Sequence, residues 1–216
     1  APLKKHYCSI WYLWCHASHV KTHPLLSSMV MMLTMMKMGG VAAAAATSTT
    51  CATLTSPVGP IVVVTQAEGV SLINFAHRVD PDNHSQGDGS AKGAELLRET
   101  QQQLNEYFSG TRRDFTVPVA FPSDATPFQR QVWGALQDIP FGVTHSYKDI
   151  AVAIGNPKAV RAVGMANNRN PVSIIVPCHR VIGKDGSLVG YGGGLDKKTE
   201  LLRLEDVDVL DGKVLR

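Results

Sequence analysis

Three consecutive residues with reactive or charged side chains, Cys178, His179 and Arg180, follow an apolar run that stops at Pro177. A cysteine thiolate is a strong nucleophile, and a histidine close by is a common base that generates it. A cysteine after three aliphatic residues is also typical of a small core residue whose thiol never reacts. Both interpretations stay open on these residues alone.

A nucleophilic Cys178 needs a base, because a free thiol with a pKa near about 8.5 is mostly protonated at neutral pH. The apolar run beginning at Ile174 predicts a strand, in which adjacent side chains point to opposite faces. We therefore expect a water to bridge Cys178 and His179. A carboxylate should orient the histidine, and both Glu200 and Glu205 near the C-terminus qualify.

A glycine run, Tyr191 to Gly194, follows the cysteine by a short distance. Glycine lets a backbone come close to a flat ligand, so the run suits the wall of a pocket. It is equally typical of a surface turn.

Two helices joined by a tight turn precede the cysteine. Ser146 and Asp149 form a capping pattern that predicts a helix from Tyr147 to Ile154. A Gly-Asn-Pro turn at 155–157 then ends this helix and starts a second one that reaches about Asn168. This is the outline of a helix-turn-helix.

The second helix has one face that is small, basic and free of acid. Helical spacing turns Ala159, Val163 and Ala166 inward, and it turns outward Lys158, Arg161, Met165 and Asn168. Small side chains allow a close approach to a DNA groove, and Lys158, Arg161 and Arg169 can contact phosphates. An ordinary solvated helix face is the alternative.

Before this region, residues 57–122 predict a small α+β domain without evident chemistry. Strands are expected at Ile61–Thr65, Val70–Phe75 and around Phe115–Val119. An amphipathic helix is expected between them, with Leu97, Gln101, Leu104 and Phe108 inward and Ser109-Gly110 at its end. Residues 123–216 form the second domain, whose first helix is capped by Thr126 and Gln129 and buries Trp133.

The first 56 residues differ in composition from the rest. They contain no Asp, Glu or Arg, and they include an alanine homopolymer at 42–46. We interpret this segment as a disordered leader, with an organellar address signal as the alternative. It has no clean apolar run long enough for a membrane span. Cys8, Cys15, His19 and His23 do not have the spacing of a standard zinc finger, and no metal site is predicted.

The overall composition is that of an ordinary globular chain. The 216 residues include 44% hydrophobic residues and carry a formal charge of +3, which is too small to indicate nucleic-acid binding by itself. The four cysteines are unevenly placed and give no disulfide framework, so a reducing compartment and a free Cys178 thiol are expected.

Several motifs in order give the chain a family resemblance. "PCHRV" at 177–181, "GNPKAVRAVG" at 155–164, "NP" at 170–171 and "YGGG" at 191–194 resemble the O6-alkylguanine-DNA alkyltransferases, also called methylated-DNA–protein-cysteine methyltransferases. The resemblance covers about Pro57 to Glu205 and leaves the leader unmatched. It implies an α+β fold with a small N-terminal ribonuclease H-like sheet/helix domain. A mostly helical, winged-helix-like DNA-binding domain that carries the active site follows.

The resemblance implies DNA repair by irreversible transfer of an alkyl group from O6 of guanine to Cys178, once per molecule. O4-alkylthymine is an open further substrate. In this family the helix-turn-helix binds the minor groove and the damaged base is rotated out of the stack. The resemblance makes Arg161 the side chain that fills the vacated space. Tyr147 promotes the flip and bonds the purine, while His179 takes the thiol proton through water and Glu205 holds His179.

Further positions take their roles from the same resemblance. Asn170 matches an asparagine that braces the turn after the second helix of the helix-turn-helix. It is grouped with Lys158, Arg161 and Met165 as a DNA-binding residue. The substrate pocket is assigned Val181, Tyr191, Gly192 and Lys198. Two departures, Met165 where some relatives have a small residue and Ser173 where some have proline, predict a narrower or differently shaped pocket.

The resemblance implies no cofactor, since the alkyl group arrives on the DNA. The expected partner is duplex DNA containing O6-alkylguanine. We expect a monomeric protein that does not bind a membrane, located in the nucleus if the source is eukaryotic and in the cytoplasm if it is bacterial. Two other classes of protein remain. One is a module that only binds alkylated bases, although proteins of that kind replace the cysteine. The other is a Cys-His-Glu hydrolase, which would turn over many molecules of an ester or amide.

Overall fold

The structure is a computed structural model that describes residues 50–79 and 87–215. The predicted leader, with its four potential zinc ligands and its alternative as an address signal, therefore lies almost wholly outside the described residues. No helix within the described ranges has both the length and the apolar character that a membrane crossing requires.

The N-terminal part is built on a three-stranded antiparallel sheet in the order β1-β2-β3, formed by Cys51–Leu54, Ile61–Gln66 and Gly69–Phe75. The strands predicted at Ile61–Thr65 and Val70–Phe75 are confirmed as β2 and β3, which pair with each other in antiparallel orientation. Strand β1 lies within the segment that we interpreted as leader, where it pairs with β2 along its full length. The folded part thus begins by Thr50 rather than at residue 57.

The outer edge of β3 is completed by two segments from later in the chain. Val70 bonds with the backbone around Val119, and Ile73 bonds with the segment 171–173. The strand predicted around Phe115–Val119 is therefore wrong, since only Val119 makes a bridge. The second contact attaches the turn that precedes Cys178 directly to the N-terminal sheet.

Helix α1, Ala91–Phe108, packs against this sheet. The Ser90 hydroxyl caps it by accepting a hydrogen bond from the Gly93 backbone, and it ends at Ser109 as predicted. The buried face of this helix differs from the predicted one. Tyr107 is fully buried, whereas Phe108 and Gln101, which were predicted to face inward, are only half-buried.

The C-terminal part is mostly helical. The capping boxes predicted at Thr126 and Ser146 are both present, and they begin helices α2 and α3. The elements in order are α2 (Pro127–Gln137), β4 (His145–Ser146), α3 (Tyr147–Ala153), α4 (Val160–Asn168), β5 (Val181–Ile182), α5 (Leu195–Leu204), β6 (Val209–Leu210) and β7 (Lys213–Val214).

Helix α4 begins later than predicted. The Ala159 backbone bonds back to Asn156, so residues 156–159 form a turn and the first helical residue is Val160. Lys158 consequently precedes the helix instead of lying on it. Gly155, with φ of 73°, ends the preceding helix in the left-handed region that glycine adopts readily.

One apolar core joins the two parts. It includes Ile73 and Leu104 from the N-terminal part and Trp133 and Val163 from the C-terminal part. The Trp133 indole also donates a hydrogen bond of 2.9 Å to the Ala166 carbonyl near the end of α4. The predicted α+β class, with a sheet-and-helix domain followed by a mostly helical one, is confirmed.

Candidate active site

Cys178 lies in a turn of 3-10 helix, Cys178–Arg180, and not at the end of a strand. The predicted strand from Ile174 is wrong because Ile174 has a φ of 75°. A β-branched residue in this left-handed region is strained, and such strain persists only where surrounding contacts enforce it. The chain therefore turns sharply just before it presents the thiol.

Asn170 supplies the contacts that enforce the turn. Its side-chain amide donates to the Val176 carbonyl at 2.8 Å, and its oxygen accepts from the Val172 backbone N–H at 3.0 Å. With both ends engaged and only 3% of the residue exposed, the Asn170 side chain braces this turn. Its grouping with the DNA-binding residues stays a prediction.

The Cys178 thiol is buried, with 4% of the residue exposed. Burial raises its pKa, while a hydrogen bond from Asn170 and the positive charge of Lys198 act in the opposite direction. The net increase keeps the thiol protonated at neutral pH. A reaction at Cys178 therefore requires a base that removes the proton as the sulfur attacks.

His179 is fully buried, and its Nε2 lies 2.8 Å from Glu205 Oε1. Burial lowers the pKa of His179 against the opposing pull of Glu205, so the ring is neutral at neutral pH. A neutral imidazole facing a carboxylate carries its proton on the nitrogen that faces it, here Nε2. Nδ1 then keeps its lone pair, and it has no partner among the described residues.

Glu205 sits at the end of α5 and is completely buried. The structure thus selects Glu205 over Glu200, which is exposed. Burial opposes its ionisation, but the facing His179 and Arg180 outweigh burial and lower the pKa of Glu205 well below its usual value. Glu205 is therefore an ionised carboxylate held inside the protein.

Arg180 neutralises that carboxylate with a two-point contact. Its Nε donates to Glu205 Oε2 at 2.8 Å, and a terminal nitrogen donates to Oε1 at 2.9 Å. The Tyr107 hydroxyl also donates to Oε1, at 2.7 Å. Neither residue was assigned a role from the sequence.

A concave surface of about 630 Å³ is lined by residues that include Tyr147, Arg161, Met165, Val189 and Tyr191. The Tyr147 hydroxyl donates to the Val189 carbonyl at 3.1 Å. Burial, and then the nearby Cys178, raise the pKa of Tyr147 to about 12. Tyr147 therefore stays protonated and remains a hydrogen-bond donor at neutral pH.

Lys198 and Tyr191 are also assigned to the pocket, and Tyr191 lines this surface, whereas Lys198 is completely buried. The Lys198 ammonium donates to the Val181 carbonyl at 2.6 Å and to the Val189 carbonyl at 3.0 Å. Burial lowers the pKa of Lys198 to about 8, although Cys178 raises it. The buried Tyr191 hydroxyl has no partner among the described residues, which leaves it available to a ligand.

The glycine run is packed against the N-terminal part. A side chain at Gly192 would collide with the Arg78 guanidinium, and one at Gly193 would collide with the Phe75 ring. The run is therefore a close contact and not a free surface turn. The predicted pocket residue Gly192 lies in this contact, where its neighbouring atoms belong to the end of the exposed, flexible Arg78 side chain.

Helix α4 presents most of the face that its spacing predicts: Val163 and Ala166 are buried, whereas Arg161, Met165 and Asn168 are exposed. Lys158 is exposed in the turn before the helix, and Ala159, predicted to face inward, is only half-buried there. Met165 is 59% exposed. Ser173, the other departure, is buried beside β3 and bonds through its backbone to Ile73.

Within the described ranges, no group of three or more His, Cys, Asp or Glu side chains is arranged to hold a metal ion. The charged groups around Cys178 are instead committed to each other and to backbone carbonyls.

Known proteins are similar to this chain over both parts of the fold. The family described as 6-O-methylguanine DNA methyltransferase matches twice, with its ribonuclease-like domain over residues 49–121 and its DNA binding domain over residues 127–207. A methylated-DNA–protein-cysteine methyltransferase of Methanosarcina acetivorans is 48% identical over 154 residues, which are 71% of this chain and 96% of the relative. The constitutive one of Bacillus subtilis is 41% identical over 157 residues, 72% of this chain and 94% of the relative.

Solved structures agree with the sequence relatives. The crystal structure of Mycobacterium tuberculosis O6-methylguanine methyltransferase matches with a TM-score of 0.63 and 41% identity, covering 72% of this chain and 91% of that one. A crystal structure of Mycobacterium tuberculosis OGT in complex with DNA matches with a TM-score of 0.63 and 42% identity, covering 71% and 90%.

Proposed function

Because the chain belongs to the family of methylated-DNA–protein-cysteine methyltransferases, we propose that it repairs DNA by moving a methyl or larger alkyl group from O6 of guanine to the sulfur of its own Cys178. The observation that carries this proposal is the buried contact between His179 and Glu205, directly beside the buried Cys178 in the chain. It joins a protonated thiol, a neutral imidazole and an ionised carboxylate.

The chemistry follows from these protonation states. The sulfur forms a bond to the alkyl carbon as the bond from that carbon to O6 breaks, and the electron pair of the broken bond stays on the purine. The thiol proton passes through a water to His179 Nδ1, and the imidazolium that forms is stabilised by Glu205. The purine regains a proton and becomes guanine, and Tyr147 favours its departure as a donor.

Delivery of the base depends on the exposed face of α4 and on Lys158 in the turn before it. Arg161 and Lys158 contact the DNA, Met165 approaches the minor groove, and the damaged nucleotide rotates out of the stack because its O6 is inaccessible inside the duplex. Arg161 fills the space that the base leaves. The relative whose crystal structure is described as a complex with DNA supports DNA as the partner.

The pocket is walled by the Val181 carbonyl, Tyr191 and Gly192, with Lys198 behind it. O6-alkylguanine is the principal substrate, and O4-alkylthymine is a further one because it also carries its alkyl group on an exocyclic oxygen. Met165, where some relatives have a small residue, and Ser173, where some have proline, give a narrower or differently shaped pocket and so alter the range of alkyl groups that it accepts.

The product limits each molecule to one reaction. A thioether on Cys178 has no tendency to leave, and the described residues provide no group that would remove the alkyl. The protein acts as a monomer and needs no cofactor. It acts where its DNA is, in the nucleus of a eukaryotic source or the cytoplasm of a bacterial one.

A titration tests this function. A duplex with one O6-methylguanine in a restriction site, which is cleaved only after repair, is incubated with increasing amounts of protein. We expect the restored fraction to equal the molar ratio of protein to lesion, and Cys178→Ser to restore nothing while still binding the duplex. Repair of many duplexes per molecule would indicate a hydrolytic mechanism. Binding without repair would leave a module that only recognises damage.

A further inference from the structure

The fully buried Tyr107 connects the N-terminal part of the chain to the candidate active site. Tyr107 lies in the last turn of α1, and its hydroxyl donates to Glu205 Oε1 at 2.7 Å across 98 residues of sequence. Both side chains are completely excluded from solvent. A buried hydroxyl is costly without a partner, so this bond fixes both side chains.

Aromatic neighbours hold the Tyr107 ring in place. Phe115 and Phe141 pack against it at centroid separations of 5.4 Å and 6.3 Å. The Arg180 guanidinium lies 5.9 Å from the centroid of the same Phe141 ring. The two donors that flank Glu205, from Tyr107 and Arg180, are therefore fixed by one aromatic cluster.

Glu205 Oε1 accepts from three donors at once: Tyr107 at 2.7 Å, His179 at 2.8 Å and Arg180 at 2.9 Å. An oxygen with this many donors has a fixed position and a strongly shared negative charge. The position decides which nitrogen of His179 carries the proton. The sharing limits how strongly the carboxylate attracts that proton.

We propose that Tyr107 is a positioning residue of the active site: its hydroxyl fixes Glu205 so that His179 stays neutral, with its proton on Nε2 and Nδ1 free to act as the base. The N-terminal domain is then more than a scaffold, because the site of the C-terminal domain is incomplete without it. The effect on alkyl transfer rests on the proposed function, whereas the effect on His179 does not.

The direction of the effect follows from the groups that face His179. Glu205 raises its pKa, whereas Arg180 and Lys198 lower it, and Cys178 is its neighbour in the chain. Without the Tyr107 hydroxyl, the charge of Glu205 is shared among fewer donors and attracts the imidazole proton more strongly. Tyr107→Phe should therefore raise the pKa of His179.

The first test is an NMR titration of the full chain carrying Tyr107→Phe, with the His179 signals identified from a His179→Gln spectrum. In the wild type, the imidazole nitrogen shifts should show a neutral ring protonated at Nε2. In Tyr107→Phe, we expect the pKa of His179 to rise by about one unit. An unchanged pKa and tautomer in a folded variant would overturn the proposal and leave Tyr107 as a packing residue.

A matched control is available on the same helix. Thr100 is also fully buried in α1, but its hydroxyl donates to the Leu96 carbonyl within the helix. Thr100→Val removes a buried hydroxyl without touching Glu205, so the titration of His179 should stay as in the wild type. An equal shift in both variants would show a general effect of loosening α1 and would overturn the proposal.

Kinetics give the second readout. We expect Tyr107→Phe to slow alkyl transfer about tenfold, the size of one hydrogen bond to a charged group, and to move the acid limb of the rate profile to higher pH. In a Glu205→Gln background the same change should have little further effect on either. Additive effects would show that Tyr107 does not act through Glu205. A wild type that transfers nothing would refute the proposed function alone, since the titration of His179 would still decide the role of Tyr107.

Discussion

Replacing Glu205 by glutamine should destabilise the protein far more than the same change at the surface. Glu205 accepts hydrogen bonds from Tyr107, His179 and Arg180 and is completely buried. Glutamine keeps the shape but loses the charge, and one of its two ends becomes an N–H donor facing Arg180 or His179. Arg180, only 6% exposed, is then a buried cation without its counter-ion.

The structure offers a matched control in Glu106. Its ion pair with Arg112 has almost the same geometry, 2.7 Å against 2.8 Å for Arg180 and Glu205, but its side chains are 26% and 32% exposed. Breaking a buried ion pair costs about 3–5 kcal/mol, whereas an exposed pair contributes about 1 kcal/mol or less. Glu205→Gln should therefore lower the free energy of unfolding by several times the loss in Glu106→Gln.

Urea denaturation of both variants, followed by tryptophan fluorescence at pH 7, measures the two losses. The pKa of Glu205 is lower in the folded state than in the unfolded one, so its contribution is present above the unfolded value and is lost as the pH falls through the folded value. The difference in the free energy of unfolding between the wild type and Glu205→Gln should accordingly become smaller below about pH 4. Equal decreases in the free energy of unfolding for the two variants at pH 7 would refute the claim that the buried contacts of Glu205 stabilise the protein more than an exposed ion pair does.

Two further changes test the pocket. Burial lowers the pKa of Lys198 to about 8, whereas a free lysine has a pKa of about 10.4. Between these two pH values only the unfolded state binds the proton, so the free energy of unfolding of the wild type should rise with pH relative to that of Lys198→Met. Parallel plots of the free energy of unfolding against pH for the two proteins would contradict this. Gly193→Ala forces a methyl group into the Phe75 ring and should lower the free energy of unfolding by about 1–3 kcal/mol. The control is Gly134→Ala, where no atom lies close to the added methyl group. Calorimetry of the two variants measures the difference, and equal stabilities would contradict the prediction.

Elements with local signals could be predicted from the sequence. The capping boxes at Thr126 and Ser146 each lie within four residues, and both helices begin where the side chains specify. The outward face of α4 follows from helical spacing alone. Cys178, His179 and Glu205 come from the family's motifs, and the structure brings the last two into contact.

Features set by distant contacts could not be predicted. The run after Ile174 has the composition of a strand, but Asn170 and the edge of β3 bend it into a turn. Tyr107 lies one position off the apolar stripe that spacing assigns to α1, and its partner is 98 residues away. Only the folded chain shows that the N-terminal domain donates a hydrogen bond to the active site.

Intact-protein mass spectrometry tests the central claim most directly. The protein is incubated with a duplex that carries one O6-methylguanine, and the product is digested to locate any added mass, with Cys178→Ala as the control. We predict a gain of one methylene per molecule, confined to the peptide that contains Cys178 and absent from the variant. No gain despite binding to the duplex, or a gain on another residue, would contradict the account.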